Sequence, residues 1–215
     1  MEKIHSLLQN FHSENIDAVQ ATDVLYTACT CGNPQVTSLI AENHSHFEFC
    51  EQHLLTKSFP LLEAARKHDV AFFDTLAQNP DFKEKYTNSF SMVDSEGNTL
   101  LHIAANNEDV GIVKFALEFG LDPQKGNYKG VTPLHFTAMR GSEDIAKLLL
   151  DWEKEKETDV RAYIAAKAVG VCNETPFYFA AKFNHPSMIK YLLQRSAITV
   201  GNYYYCFNAL LMQVF

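Results

Sequence analysis

Four residues able to ligate a metal or act as nucleophile and base fall within ten positions, His44, His46, Cys50 and His53, with two further thiols, Cys29 and Cys31, upstream. Zinc takes about four nitrogen or sulfur ligands in a tetrahedron, and Cys50-x-x-His53 has a spacing that fits two of them. The other thiols fit poorly. Cys29 and Cys31 are two positions apart, so on a helix their side chains point about 200° from each other and cannot face one ion. The segment reads as a polar loop beside small core cysteines, and neither metal nor cofactor is expected; zinc binding, or a small enzyme using His44, His46, Cys50 and His53, is the alternative. Nucleophilic catalysis needs a nucleophile, a base and an orienting group in one pocket. The chain holds no G-x-S-x-G elbow, no G-x-x-x-x-G-K-[ST] loop and no H-E-x-x-H pair. A dyad of Cys50 with His53 or His102 stays open, because its members need only meet in space. No catalytic residue is expected.

The elements that would position these side chains follow from composition and pattern. The 215 residues are 47% hydrophobic, enough for a folded core in one or two domains. A formal net charge of −8 argues against a nucleic-acid surface, which depends on Lys and Arg neutralising phosphates. Five cysteines, an odd number without a dense framework, point to a reducing, cytosolic setting. The first residues do not have the pattern of a cleaved signal, and no apolar run is long enough to span a bilayer. A water-soluble chain, monomeric on its own, is expected.

Two stretches repeat: Thr99-Leu100-Leu101-His102-Ile103-Ala104-Ala105 and Thr132-Pro133-Leu134-His135-Phe136-Thr137-Ala138, with Gly97 and Gly130 two residues upstream of each. The second copy shows the physics of a unit. Asn127 to Gly130 makes a turn, Thr132 caps a helix, and Pro133 takes the first helical position, where its missing N–H costs nothing. Gly141 ends that helix, and Ser142 or Glu143 opens another, with Ile145, Leu148 and Leu149 on one face. The period of 33 residues and the T-P-L-H-x-A core make the chain resemble the ankyrin-repeat family. That resemblance implies an all-α solenoid of paired helices, a role in binding proteins, and a motif histidine bonded between neighbouring repeats. His102 and His135 are therefore expected to be structural.

Weaker copies begin near 23, 59 and 175, giving five repeats with those near 99 and 132 in a single domain over 1–215. Asp23 stands at the capping position of the first and Tyr26 in place of its histidine; Tyr178 replaces the histidine of the fifth. Residues 1–20 are expected to form an N-terminal cap helix, and 196–215 a C-terminal cap or the start of a further element. Three junctions carry insertions: His44 to His53; Pro80 to Val93, where Asp81 to Tyr86 could add a short helix; and Trp152 to Gly170, which extends the fourth repeat with alternating charges before the more apolar Val160 to Ala166. Such loops often shape a binding surface.

In proteins of this family partners usually dock on the concave side, on turn tips and the exposed positions of the first helices. Carried over, that selects Arg66 and Lys67 on the second repeat; Ser95, Glu96, Asn98, Asn106 and Asn107 on the third; Tyr128, Lys129, Val131, Met139 and Arg140 on the fourth. On the fifth it selects Val171, Cys172, Glu174, Lys182 and Phe183. Tyr128, Met139, Arg140 and Phe183 are residue types that anchor interfaces, although Met139 and Phe183 could equally be covered by the third insertion. The resemblance implies a protein scaffold with an unidentified partner. Irregular, insertion-rich arrays with many Asn, Phe and Lys resemble those that bacteria deliver into host cytosol; an endogenous cytosolic adaptor fits the same residues.

Overall fold

Hydrophobic residues at helical spacing, punctuated by Pro at helix starts and Gly at ends, produce a ladder of short helices in the computed structural model, which describes residues 18–42, 45, 47–87, 90–155, 164, 166 and 174–196. Both expected caps lie outside the described residues, except that 18–20 begin the first described helix and Ser196 ends the last. Five helix pairs follow in order: α1 Ala18–Cys31 with α2 Pro34–Glu42, α3 Pro60–Arg66 with α4 Val70–Gln78, and, after an additional α5 Pro80–Tyr86, α6 Leu100–Asn107 with α7 Val110–Glu118. Then come α8 Pro133–Arg140 with α9 Glu143–Glu155 and α10 Pro176–Lys182 with α11 Pro186–Ser196. No strand occurs among the described residues.

The helices stack in two rows. First helices pack on first helices, α1 on α3, α3 on α6, α6 on α8 and α8 on α10, and second helices likewise from α2 through α4, α7, α9 and α11. Each pair leaves an apolar side that only its neighbours cover, so the core runs the length of the stack. Leu25, Leu61, Leu101, Leu134 and Phe177, one per first helix, are all buried in it.

The local chemistry matches the repeat reading. Pro60, Pro133 and Pro176 each take the first turn of a helix. Gly141 ends α8 at φ +78°, and a Cβ there would stand 2.5 Å from Nδ1 of His185, so backbone angle and close approach both demand glycine. Asp69 caps α4, accepting the Phe72 N–H at 3.2 Å while its other oxygen takes the Thr37 hydroxyl at 2.6 Å, which ties the first repeat to the second.

Asp23 is a correction. It lies inside α1 rather than at its start, and its carboxylate meets Nε2 of His53 at 3.0 Å instead of helix N–H groups. The helix runs through Thr22 and Asp23 because Ala21, Leu25, Ala28 and Cys29 keep one face buried across that point.

The first two insertions meet in the second row. Phe82, on the added helix α5, is completely buried between Phe49, Tyr86, Phe90 and Phe119, with ring centroids 5.1, 4.6, 6.3 and 5.6 Å away. Glu48 of the first insertion accepts from the Tyr86 hydroxyl at 3.0 Å and pairs with Lys85 at 2.8 Å. Much of both insertions is therefore an aromatic core rather than a surface for partners. Of the third, α9 extends to Glu155, and Ile164 and Ala166 are described, with Ile164 fully buried; the remainder, with Val171 and Cys172, lies outside the described residues.

A candidate protein-binding groove

The site is built on the tips that precede α6 and α8. Asp94 nucleates the first: its Oδ1 accepts the N–H groups of Glu96 at 2.9 Å and Asn98 at 2.8 Å, and Gly97 turns the chain at φ +81°. Asn127, 33 residues later in the chain, does the same for the next, accepting from Lys129 and Val131, both at 3.0 Å. The tips are cross-linked, since the Asn127 amide donates to Oδ1 of Asn98 at 2.8 Å and the Tyr128 N–H donates to the Glu96 carbonyl at 3.0 Å. A Cβ on Gly97 would come within 2.8 Å of that Tyr128 nitrogen. Burial alone would raise the Asp94 carboxyl, but hydrogen bonds from Asn98 and Glu96 and the Arg66 guanidinium hold it below its ordinary value.

The motif histidines fix the helices behind the tips. Nδ1 of His102 accepts the Thr99 N–H at 3.0 Å, so the proton sits on Nε2, which donates to the Val131 carbonyl of the next repeat at 2.9 Å. His135 repeats the arrangement with Thr132 at 3.0 Å and the Glu174 carbonyl at 3.2 Å. Burial pushes both imidazoles down to about 4, so both are neutral at pH 7. They are spacers between repeats, bonded on both ring nitrogens.

Among the surface positions carried over from sequence, Arg66, Ser95, Glu96, Asn98, Asn106 and Asn107 come together around one groove of about 570 Å³, with Ile103 and Phe136 also lining it. Arg66 is clamped between Glu63 and Asp94, 2.7 Å from each. Asn98 belongs to the groove wall but is buried, its amide spent on Asp94, Glu96 and Asn127. Arg140 reaches Asn106 from the next repeat at 3.1 Å. A second cavity of about 630 Å³ shares Arg66, Asp94 and Ser95 and is walled by Tyr128, which is 73% exposed. Lys129 and Lys67 are exposed; Val131 and Met139 are half-buried, with their carbonyls accepting from His102 and His185. On the fifth repeat, Phe183 is exposed and stacks on Phe179, and Lys182 lies over Tyr178 and pairs with the half-buried Glu174, all outside both cavities.

Sequence reasoning missed Ile103 and Phe136, although their position one residue after each motif histidine was available. It also missed Leu54 and Leu55, 56% and 88% exposed at the tip before α3.

The metal-ligand candidates separate. His53 is buried and committed, stacked on Tyr26 at 4.1 Å, bonded through Nδ1 to the Thr56 hydroxyl at 2.8 Å and through Nε2 to Asp23. Burial pushes the Cys50 thiol up to about 11, which leaves it a poor nucleophile at neutral pH. Cys29 is buried and raised further for the same reason, and Cys31 is exposed. Among the described residues no three His, Cys, Asp or Glu side chains gather as a metal site; His44 and His46 lie outside them.

With tips, spacer histidines and paired helices in place, comparison with known families is decisive: ankyrin-repeat models match residues 61–162 as three copies and residues 172–200 as another, more than half of the sequence. The chain belongs to the ankyrin-repeat family. The first helix pair of this ankyrin-repeat protein lies outside both matched stretches. It lacks the motif threonine and histidine yet packs as a repeat.

The chain is 28% identical over 143 residues to transient receptor potential cation channel subfamily A member 1 of Drosophila melanogaster, covering 65% of this chain and 11% of that protein. It is 25% identical over 179 residues to ANK repeat-containing protein nipk-1 of Caenorhabditis elegans, covering 79% of this chain and 27% of the relative. The human Notch-regulated ankyrin repeat-containing protein is 34% identical over 88 residues, 41% of this chain and 75% of its own length. The chain thus spans only a small part of the first two relatives. No described helix is long and apolar enough to cross a membrane.

Proposed function

We propose that the protein is a recognition scaffold that holds a partner protein on the face formed by the tips and first helices of repeats two to five. The observation that carries the reading is the groove itself, in which side chains from three successive repeats meet beside an exposed aromatic. Arg66, Lys67, Ser95, Glu96, Asn106, Asn107, Tyr128, Lys129, Val131, Met139, Arg140, Lys182 and Phe183 are the contact positions. Asn98 acts behind them as a wall. Tyr128, Arg140 and Phe183 are the anchors, because aromatic and arginine side chains contribute most to typical interfaces. Among the described residues Cys29, Cys31 and Cys50 are free thiols, which supports a reducing, cytosolic setting. Delivery into a host cytosol is supported by composition alone.

Capture from cytosol with the Tyr128→Ala, Arg140→Ala double variant tests this. Both side chains are exposed, so the unfolding free energy stays within about 1 kcal/mol of wild type, about 0.5 kcal/mol for each substitution. Partners held by wild type fall at least tenfold in yield. Equal capture of the same partners overturns the assigned face.

A further inference from the structure

Asn106 and Asn107 are the last two residues of α6, and the array uses only half of each amide. Asn106 reaches forward: its Oδ1 accepts from Nε and Nη2 of Arg140 at 3.3 and 3.1 Å. Asn107 reaches back, its Nδ2 donating to the Ala65 carbonyl at 2.9 Å. These contacts leave no freedom to exchange oxygen and nitrogen. A reversed Asn106 would set its NH2 against guanidinium donors, and a reversed Asn107 would set oxygen against oxygen. Among the described residues neither Nδ2 of Asn106 nor Oδ1 of Asn107 has a further partner, and both residues line the groove.

The groove therefore offers one oriented donor and one oriented acceptor from adjacent residues. That pair complements the C=O and N–H of a peptide backbone, which are strong, obligatory hydrogen-bonding groups. Beside it lie Ile103 and the half-buried Phe136, an apolar floor for one side chain. The charge is divided. Arg66 is outweighed by its two partners Glu63 and Asp94, which with exposed Glu96 make the tip end acidic, whereas Arg140 stands at the helix end.

We infer that this groove binds an extended segment of a partner protein, Asn106 and Asn107 holding one residue's backbone, Ile103 and Phe136 an apolar side chain, and Glu96 a basic one. The inference rests on the groove face being the binding surface, and it adds the class of ligand. Backbone contacts give grip without sequence, while the apolar floor and Glu96 select the side chains. Arg140 rejects a second basic residue at the far end.

The probe is a display library of random linear 12-residue peptides selected on the full chain, with enriched sequences resynthesised for binding isotherms. The expected motif is a Lys or Arg beside an aliphatic or aromatic residue. Asn106→Asp keeps an oxygen for Arg140 but converts the open donor into an acceptor. It weakens binding about tenfold, the loss of roughly one hydrogen bond, even though its added negative charge favours a basic peptide. Methylating one backbone nitrogen of the peptide has a similar effect by removing the donor to Asn107, and requires no change to the protein. Equal or tighter binding by Asn106→Asp, with every N-methyl peptide binding as well as its parent, reduces the groove to charge attraction and overturns the inference. Enrichment of no peptide overturns it too. In either case, capture that still depends on Tyr128 and Arg140 leaves the binding face standing and refutes only the extended-segment ligand.

Discussion

Replacing Phe82 by alanine lowers the unfolding free energy by about 3–5 kcal/mol, the range for emptying a completely buried aromatic site. In a chain of this length that corresponds to a fall of about 10 °C in Tm. The size follows from the position. Phe82 contacts Phe49 from one insertion, Tyr86 and Phe90 from its own, and Phe119 beyond α7, so truncation uncouples segments far apart in sequence. Edge-to-face geometry against Phe49, with an interplanar angle of 88°, adds to the loss because it is specific to the ring. Denaturant unfolding followed by circular dichroism measures it. A loss below about 1 kcal/mol would mean that the insertions are appended to the array rather than built into it.

Acid weakens the stack through its spacer histidines. His102 and His135 have folded values of about 4 against 6.5 for a free imidazole, and burial is the main cause. Between those values the unfolded chain binds protons that the folded chain refuses, so stability falls as pH drops. The contribution is complete above about pH 6.5, is lost progressively toward pH 4, and is constant below. Each histidine accounts for about 3 kcal/mol over that window. The pair is comparable to the whole net stability of many domains. The geometry explains the refusal: a proton on Nδ1 would point at the Thr99 or Thr132 N–H that already donates there. In the His102→Gln, His135→Gln variant, stability at pH 7 drops by about 1–3 kcal/mol per site from lost hydrogen bonds. Its slope between pH 6.5 and 4 is flatter than that of wild type. Parallel pH profiles would contradict the assignment.

The regular centre of the array was legible because its signals are local. Thr99 and His102, or Thr132 and His135, bond within one helical turn, and their period appears directly in the chain. The first repeat was legible from apolar spacing alone, but its start was not. Asp23 resembles a cap until His53, thirty residues later in the chain, claims its carboxylate. The insertions read as variable loops because nothing local shows that Glu48 meets Tyr86 or that Phe49 meets Phe82. Those pairings are products of tertiary packing.

The groove was half legible. Position transfer selects Arg66, Ser95, Glu96, Asn106 and Asn107, which line one groove, since the place of each depends only on its position within a repeat. The burial of Asn98 is not legible from its own repeat, because its inward turn is set by Asn127 in the following one. The directions of the Asn106 and Asn107 amides depend on Arg140 and Ala65 in the repeats on either side, so no reading of a single repeat could supply them.

The central claim is that partners dock on the groove face. A photo-crosslinking side chain placed at Tyr128 and, in a separate protein, at exposed Lys190 on α11 in the opposite row tests it directly. Illumination in cytosol should give a discrete adduct from position 128 that the Arg140→Ala substitution suppresses, and none from position 190. Adducts from position 190 alone, or the same adduct from both positions, would contradict it.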